Sequence, residues 1–189
     1  MSDFKLKESL KIVDGTLASR TKMASIITKN PGEIPALLRI AFLDEFPVSS
    51  KACWVLEVMA RDHLNILLPY LNQLIPNLDK ATLDSSVRPL AKICENLTLA
   101  YFQKKDPQVM SWLTDAHLEK MTAACFDWLI SEQKVAPKAY AMTCLYHLGS
   151  KFPWVHPELR QVLELNYQRG SAAYQARAKL VLQQLPKGL

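Results

Sequence analysis

Asp84, Arg88, Lys92 and Glu95 follow one another at steps of four, four and three residues. On a helix this spacing places all four on one stripe. Asp84 can then pair with Arg88, and Lys92 with Glu95, at ~0.2–0.5 kcal/mol each if exposed. Such a stripe is either a solvated salt-bridge face or a surface ready for a charged ligand. Trp54, Glu57 and Arg61 form a second set, in which Glu57 and Arg61 stand at i, i+4 and Trp54 sits one turn before Glu57. A helical tryptophan is most often core.

Catalytic patterns are missing. The four histidines, His63, His117, His147 and His156, show no H-x-x-x-H or H-E-x-x-H spacing. His63 and His117 stand near expected helix starts, where capping accounts for them. The four cysteines, Cys53, Cys94, Cys125 and Cys144, form no C-x-x-C pair and read as reduced core thiols. The chain has no G-x-x-x-x-G-K-[ST], G-x-G-x-x-G or G-x-S-x-G, and only five glycines in all. We therefore expect no cofactor, no metal and no enzymatic activity.

The elements that must position these residues are helices. "EIPALLRIAFL" puts Ile34, Leu37, Leu38, Ala41 and Phe42 on one face. "HLNILLPYLNQLI" does so with Leu64, Leu67, Leu68, Leu71, Leu74 and Ile75, and "HLEKMTAACFDWLI" with Leu118, Met121, Cys125, Trp128 and Leu129. These are amphipathic-helix spacings, and no segment alternates as a strand would. Asn30-Pro31-Gly32, Pro47, Pro76, Pro107, Pro153 and Pro157 punctuate the stripes. Pro69 falls inside one and predicts a kink or a new helix start. No Gly/Ser-rich linker divides the chain, so residues 1–189 are expected to form one domain.

Charge is uneven. The formal net charge is +5, with +3 in residues 1–29, +4 in residues 151–189 and −2 between them. The N-terminal stretch "MSDFKLKESLK" carries no apolar leader, and no apolar run reaches the ~18 residues of a membrane span. A cytoplasmic protein that does not engage a membrane is the expectation.

One signature recurs. Lys51, Arg88, Lys138 and Arg177 each stand near an expected helix start and precede a small or helix-starting residue, namely Ala52, Pro89, Ala139 and Ala178. The intervals between them are 37, 50 and 39 residues, with another amphipathic helix in each gap. A helix pair recurring every ~40–47 residues is the period of HEAT and armadillo arrays. The small residue lets the second helix of a pair approach its neighbours. The basic residue sits poorly at an already positive helix N-terminus, so a carboxylate of a neighbouring repeat or an anionic ligand should compensate. The long interval implies an insertion near "FQKKDPQVMSW", residues 102–112.

From about residue 16 onward the chain resembles the HEAT-like class of helical repeat proteins. The resemblance implies an all-α fold, a right-handed α-α superhelix of about four to five HEAT-like helix pairs whose second helices line a shallow concavity. The runs "ACWVLE", "LDSSVRPLAKICE", "CFDWLISEQKVAPKAYAM" and "WVHPEL" also resemble a short all-helical bacterial family often labelled adenylosuccinate lyase. True lyases of that name carry a Ser-rich loop with a Met-Pro-x-Lys-x-Asn core. Here only the pair Ser85-Ser86 occurs, and we read it as a cap for a helix beginning near Val87.

Two functions compete, and lyase activity, as the family label implies, is a remote third. A non-catalytic module would bind a protein partner on its concave face, with Lys51, Trp54, Glu57, Asp84, Arg88, Lys92, Glu95, Lys138 and Arg177 as candidate binding residues. Alternatively, the ladder Lys51, Arg88, Lys92, Lys138 and Arg177 would bind nucleic acid on a scaffold like that of HEAT-like DNA glycosylases, with Asp127 and the aromatics Trp54, Trp112, Trp128, Tyr140 and Tyr146 at hand. A dedicated duplex binder should carry a denser basic stripe than this net-acidic middle offers.

Overall fold

A computed structural model describes residues 3–186. Residues 1–2 and 187–189, part of the expected leader-free start and of the expected domain range, lie outside the described residues. Among the described residues there is no strand. Eleven α-helices follow in order: α1 Asp3–Lys11, α2 Leu17–Lys29, α3 Ile34–Ala41, α4 Val48–Asp62, α5 Leu71–Leu74, α6 Asp84–Phe102, α7 Pro107–Trp112, α8 Asp115–Ile130, α9 Val135–Leu148, α10 Val155–Tyr167 and α11 Ala172–Gln184. The fold is an all-α repeat superhelix, as expected.

The helices form two layers. The second layer is the row α2, α4, α6, α9 and α11, in which each helix packs on the next. The first layer holds α1, α3, the segment 64–80, α8 and α10, each against its second-layer partner or the segment beside it. Three sequential helix pairs pack directly, α3 on α4, α8 on α9 and α10 on α11, while α1 packs on α3 and α4 and the segment 64–80 on α4 and α8. One continuous core runs between the layers, and Ile34, Leu37, Leu56, Met59, Leu97, Leu118, Leu145 and Leu159 are all within 1 % of complete burial. Ala52 and Ala178 are fully buried, and Pro89 is buried beside them while Ala139 is half-buried. Three of the four small positions are therefore buried within the stack.

Helix starts follow from capping chemistry. The Thr16 hydroxyl accepts from the Ser19 N–H to open α2, Ser171 accepts from the Tyr174 N–H to open α11, and Asp106 followed by Pro107 opens α7. Helix α7 is the expected insertion, and it accounts for the long interval.

Two local expectations are corrected. The stripe at 64–75 is not one α-helix. A 3-10 turn over Leu64–Tyr70, the short α5 and a second 3-10 stretch over Ile75–Lys80 replace it. Pro69 and Pro76 each remove an amide donor, and the i, i+3 stripe suits the tighter turn equally well. Ser85 and Ser86 do not cap a helix at Val87. Helix α6 begins three residues earlier, at Asp84, with no side-chain cap. Their hydroxyls instead meet the Ser50 hydroxyl of α4, at 2.6 and 3.1 Å. Because α6 starts early, Pro89 lies inside it and cannot donate to the Ser85 carbonyl. The Trp54 indole N–H supplies the missing bond at 2.9 Å.

His117 meets its expectation. It caps α8 as expected, its ring Nδ1 accepting from the Thr114 N–H. Its Nε2 also stands 2.9 Å from the Asn72 side-chain oxygen, which ties α8 to the segment 64–80. Both contacts suit the neutral imidazole with its proton on Nε2. Burial holds the His117 pKa below its usual 6.5. The unfolded chain therefore takes the proton first, so this contribution is complete above pH 6.5 and is lost as pH falls below it. His147 is shifted the same way by burial. The melting temperature should fall between about pH 7 and 5, and His117→Gln should flatten that fall. Melting curves of both proteins across this range check it, and an equal or steeper fall in the variant would contradict it.

Candidate functional face

The starts of four second-layer helices, α2, α4, α6 and α9, bring residues to one edge of the molecule. Gly15 before α2, Phe46 before α4, Ser85 in α6 and Lys134 before α9 all line a single cavity of about 530 Å³, together with Arg20, Trp54, Asp84, Arg88, Ala136 and Pro137. The second-layer helices thus present their N-terminal ends side by side. Their partial positive charges add to those of the cations there.

Glu57 lies behind this cavity on α4, with 16 % of its side chain exposed. Arg88 on α6 approaches its Oε2 to 3.7 Å and Arg20 on α2 to 4.0 Å. Neither distance is a hydrogen bond, and that buried oxygen has no hydrogen-bond partner. One carboxylate thus neutralises two guanidiniums from the helices on either side without locking either one. The carboxylate expected from a neighbouring repeat is present for Arg88. The expected partner on its own helix is not, since Asp84 pairs with Lys134 at 3.5 Å. Arg61 likewise forsakes Glu57 for its neighbour Asp62, 2.7 Å away.

The remaining candidates scatter along the face. Lys92 and Glu95 pair as expected, at 2.6 Å, and Lys92 also lies 4.8 Å from the ring centre of Tyr140. Glu95 is buried, so Lys92 is committed to it. The Lys51 ammonium donates to the Lys11 carbonyl at the end of α1, a backbone acceptor rather than a carboxylate. Lys138 lines a smaller cavity of about 220 Å³ beside the loop before α11. Arg177 lines another, of about 400 Å³, with Gln103, Tyr146 and His147. The basic ladder is therefore not one patch. Only Arg88 of its five members reaches the edge cavity, with Trp54 and Asp84 beside it.

Sequence reasoning missed Arg20, Phe46 and Lys134. Arg20 is one more rung of the ladder, four residues after the cap Thr16. Thr21 follows it instead of a small residue, which hid the signature. Phe46 is 73 % exposed at the rim, and nothing in its spacing marks it. The cysteines are all free and buried. Burial pushes the Cys53 thiol up to about 12 and raises that of Cys94 well above its ordinary value, the reverse of what a nucleophile needs. Among the described residues no group of three or more His, Cys, Asp or Glu could hold a metal ion. No helix there is long and apolar enough to cross a membrane.

No curated protein and no solved structure matches the chain. The lyase chemistry implied by the family label finds no support in these comparisons. A family model described as a HEAT repeat domain matches residues 14–185. That span takes in all five second-layer helices and the cavity that four of them line, and the chain belongs to the HEAT repeat domain family.

Proposed function

We propose that the chain is a non-catalytic interaction module, a single domain that binds a segment of a protein partner along its second-layer face. One contrast carries this reading. On α8, in the first layer, the outward residues Ala116, Glu119, Lys120, Ala123, Asp127 and Ile130 are all exposed. On α9, in the second layer, the outward residues Ala136, Ala139, Tyr140, Thr143 and His147 are all half-buried, and Lys51, Trp54, Glu57, Lys92 and Asn96 on α4 and α6 are too. Flanking helices shelter a concave face in this way and leave a convex one bare. A sheltered row of mixed polar and aromatic side chains suits an extended or helical protein segment.

Glu57, Asp84 and Glu95 intersperse the cations of this face, which opposes a polyphosphate. Unpaired buried cysteines fit a reducing cytoplasmic setting. Arg88→Glu is expected to weaken partner capture by about tenfold, the scale of one lost charge-assisted contact, while the melting temperature stays within a few degrees. Affinity capture with the wild type and the variant, alongside melting curves, checks it. Unchanged capture by a folded variant would remove this face from the function.

A further inference from the structure

We infer that the edge cavity between the starts of α2, α4, α6 and α9 is the specificity pocket of this face, and that it takes an acidic side chain flanked by an apolar one on a partner's peptide segment. The inference rests on the interaction-module reading and names what that module recognises.

Charge is the first argument. Arg20, Arg88 and Lys134 converge on the cavity against Asp84 in its lining, with Glu57 behind it. Three cations against two carboxylates leave a net positive site, and four helix N-termini add to it. An anion is therefore the favoured guest.

The state of the arginines is the second. At 3.7 and 4.0 Å from Glu57 they are neutralised but not hydrogen-bonded to it. The Arg88 guanidinium can turn its fork to an incoming carboxylate and keep Glu57 as a counter-charge behind it, while Arg20, whose Nε donates to the Thr16 carbonyl at 3.3 Å, offers its remaining N–H groups from a fixed position. The desolvation cost of a bare cationic pocket is thus met before any ligand arrives.

The rim is the third. Phe46 is 73 % exposed, and with the Trp54 indole and Pro137 it forms an apolar ledge beside the guanidiniums. Trp54 is held in place by its bond to the Ser85 carbonyl, so its part of the ledge is preformed. A free small carboxylate would leave this ledge bare. A peptide alternating acidic and apolar side chains would cover it, one residue meeting the arginines and its neighbour meeting Phe46. A cavity of about 530 Å³ is in the range that buries a small group.

The test uses the full chain and fluorescein-labelled short peptides read by anisotropy at low salt. The probe peptide alternates glutamate and leucine. One control alternates lysine and leucine, a second alternates glutamate and serine, and labelled single-stranded DNA is the third. The expected result is binding of the glutamate–leucine peptide and about tenfold weaker binding of each control. Arg88→Glu, Arg20→Gln and Phe46→Ser should each weaken the probe peptide by about tenfold, while Lys120→Glu, on the exposed outer side of α8, changes it less than about twofold. Phe46 and Arg88 are exposed, so their variants should fold, and Arg20→Gln supplies an independent reading.

Failure to bind the probe peptide overturns the inference. So does binding that the three variants leave unchanged, or binding of the glutamate–serine peptide as tight as that of the probe. Preferential binding of the lysine–leucine peptide overturns the acidic pocket and leaves the interaction module standing. Tighter binding of DNA, lost in Arg88→Glu, overturns both.

Discussion

Leu97→Ala should destabilise the chain by ~2–5 kcal/mol and should split its unfolding into two steps. Leu97 is fully buried on α6, the helix at the middle of the second layer, packed against α4 on one side and α9 on the other. The direct loss is the transfer free energy of the removed methyl groups plus the cavity they leave. The second consequence comes from the architecture. In a stack where each repeat touches only its neighbours, stability is a sum of repeat terms and interface terms. Weakening the central interface uncouples the N-terminal pairs from the C-terminal pairs. A matched truncation at the end of the stack, Val181→Ala on the nearly buried Val181 of α11, should only fray the last helix. Urea denaturation followed by circular dichroism and by tryptophan emission checks this. Divergence of the two probes for Leu97→Ala, and coincidence for Val181→Ala, is the expected pattern. Coincident curves for both would show that the chain unfolds as one globule and not as coupled repeats.

Lys92→Met should cost ~1–3 kcal/mol, and adding Glu95→Leu to it should recover most of the loss. The Glu95 carboxylate is 7 % exposed as a side chain and Lys92 is its ion-pair partner at 2.6 Å. Removing the ammonium alone strands a buried charge. Removing both groups leaves an apolar pair of similar bulk over Tyr140, whose ring Lys92 now covers. The ammonium is one-third exposed, so solvent screening keeps the figure below that of a wholly buried pair. A double-mutant cycle by thermal and chemical denaturation measures the coupling. Additive losses would mean that the pair is an ordinary surface contact and that Lys92 is free to serve a ligand.

The helices were legible because their stripes are local. Residues such as Ile34, Leu37, Leu38 and Ala41 announce the buried face of α3 within two turns, and all are buried in the structure. The repeat was legible because Ala52, Pro89 and Ala178 mark the close approaches. The segment 64–80 was misread because a three-residue period does not distinguish an α-helix from a run of 3-10 turns, and the two prolines decide it. The ion pairs were legible only when both partners share a helix, as Lys92 and Glu95 do. Arg88 and Asp84 share one too, but each finds a better partner across a helix interface, in Glu57 and Lys134. Those contacts are set by the packing of α2, α4, α6 and α9, which no window of sequence contains. Phe46 joins the cavity for the same reason.

The most direct measurement is site-specific photo-cross-linking of the full chain in cells. A photoreactive residue placed at Arg88, Tyr140 or Arg177 reports on the second-layer face, and one at Glu119 or Ala123 on the exposed outer side of α8. The account predicts discrete protein adducts from the first three positions and none from the last two. Adducts from α8 alone, or adducts to nucleic acid from the second-layer positions, would contradict it.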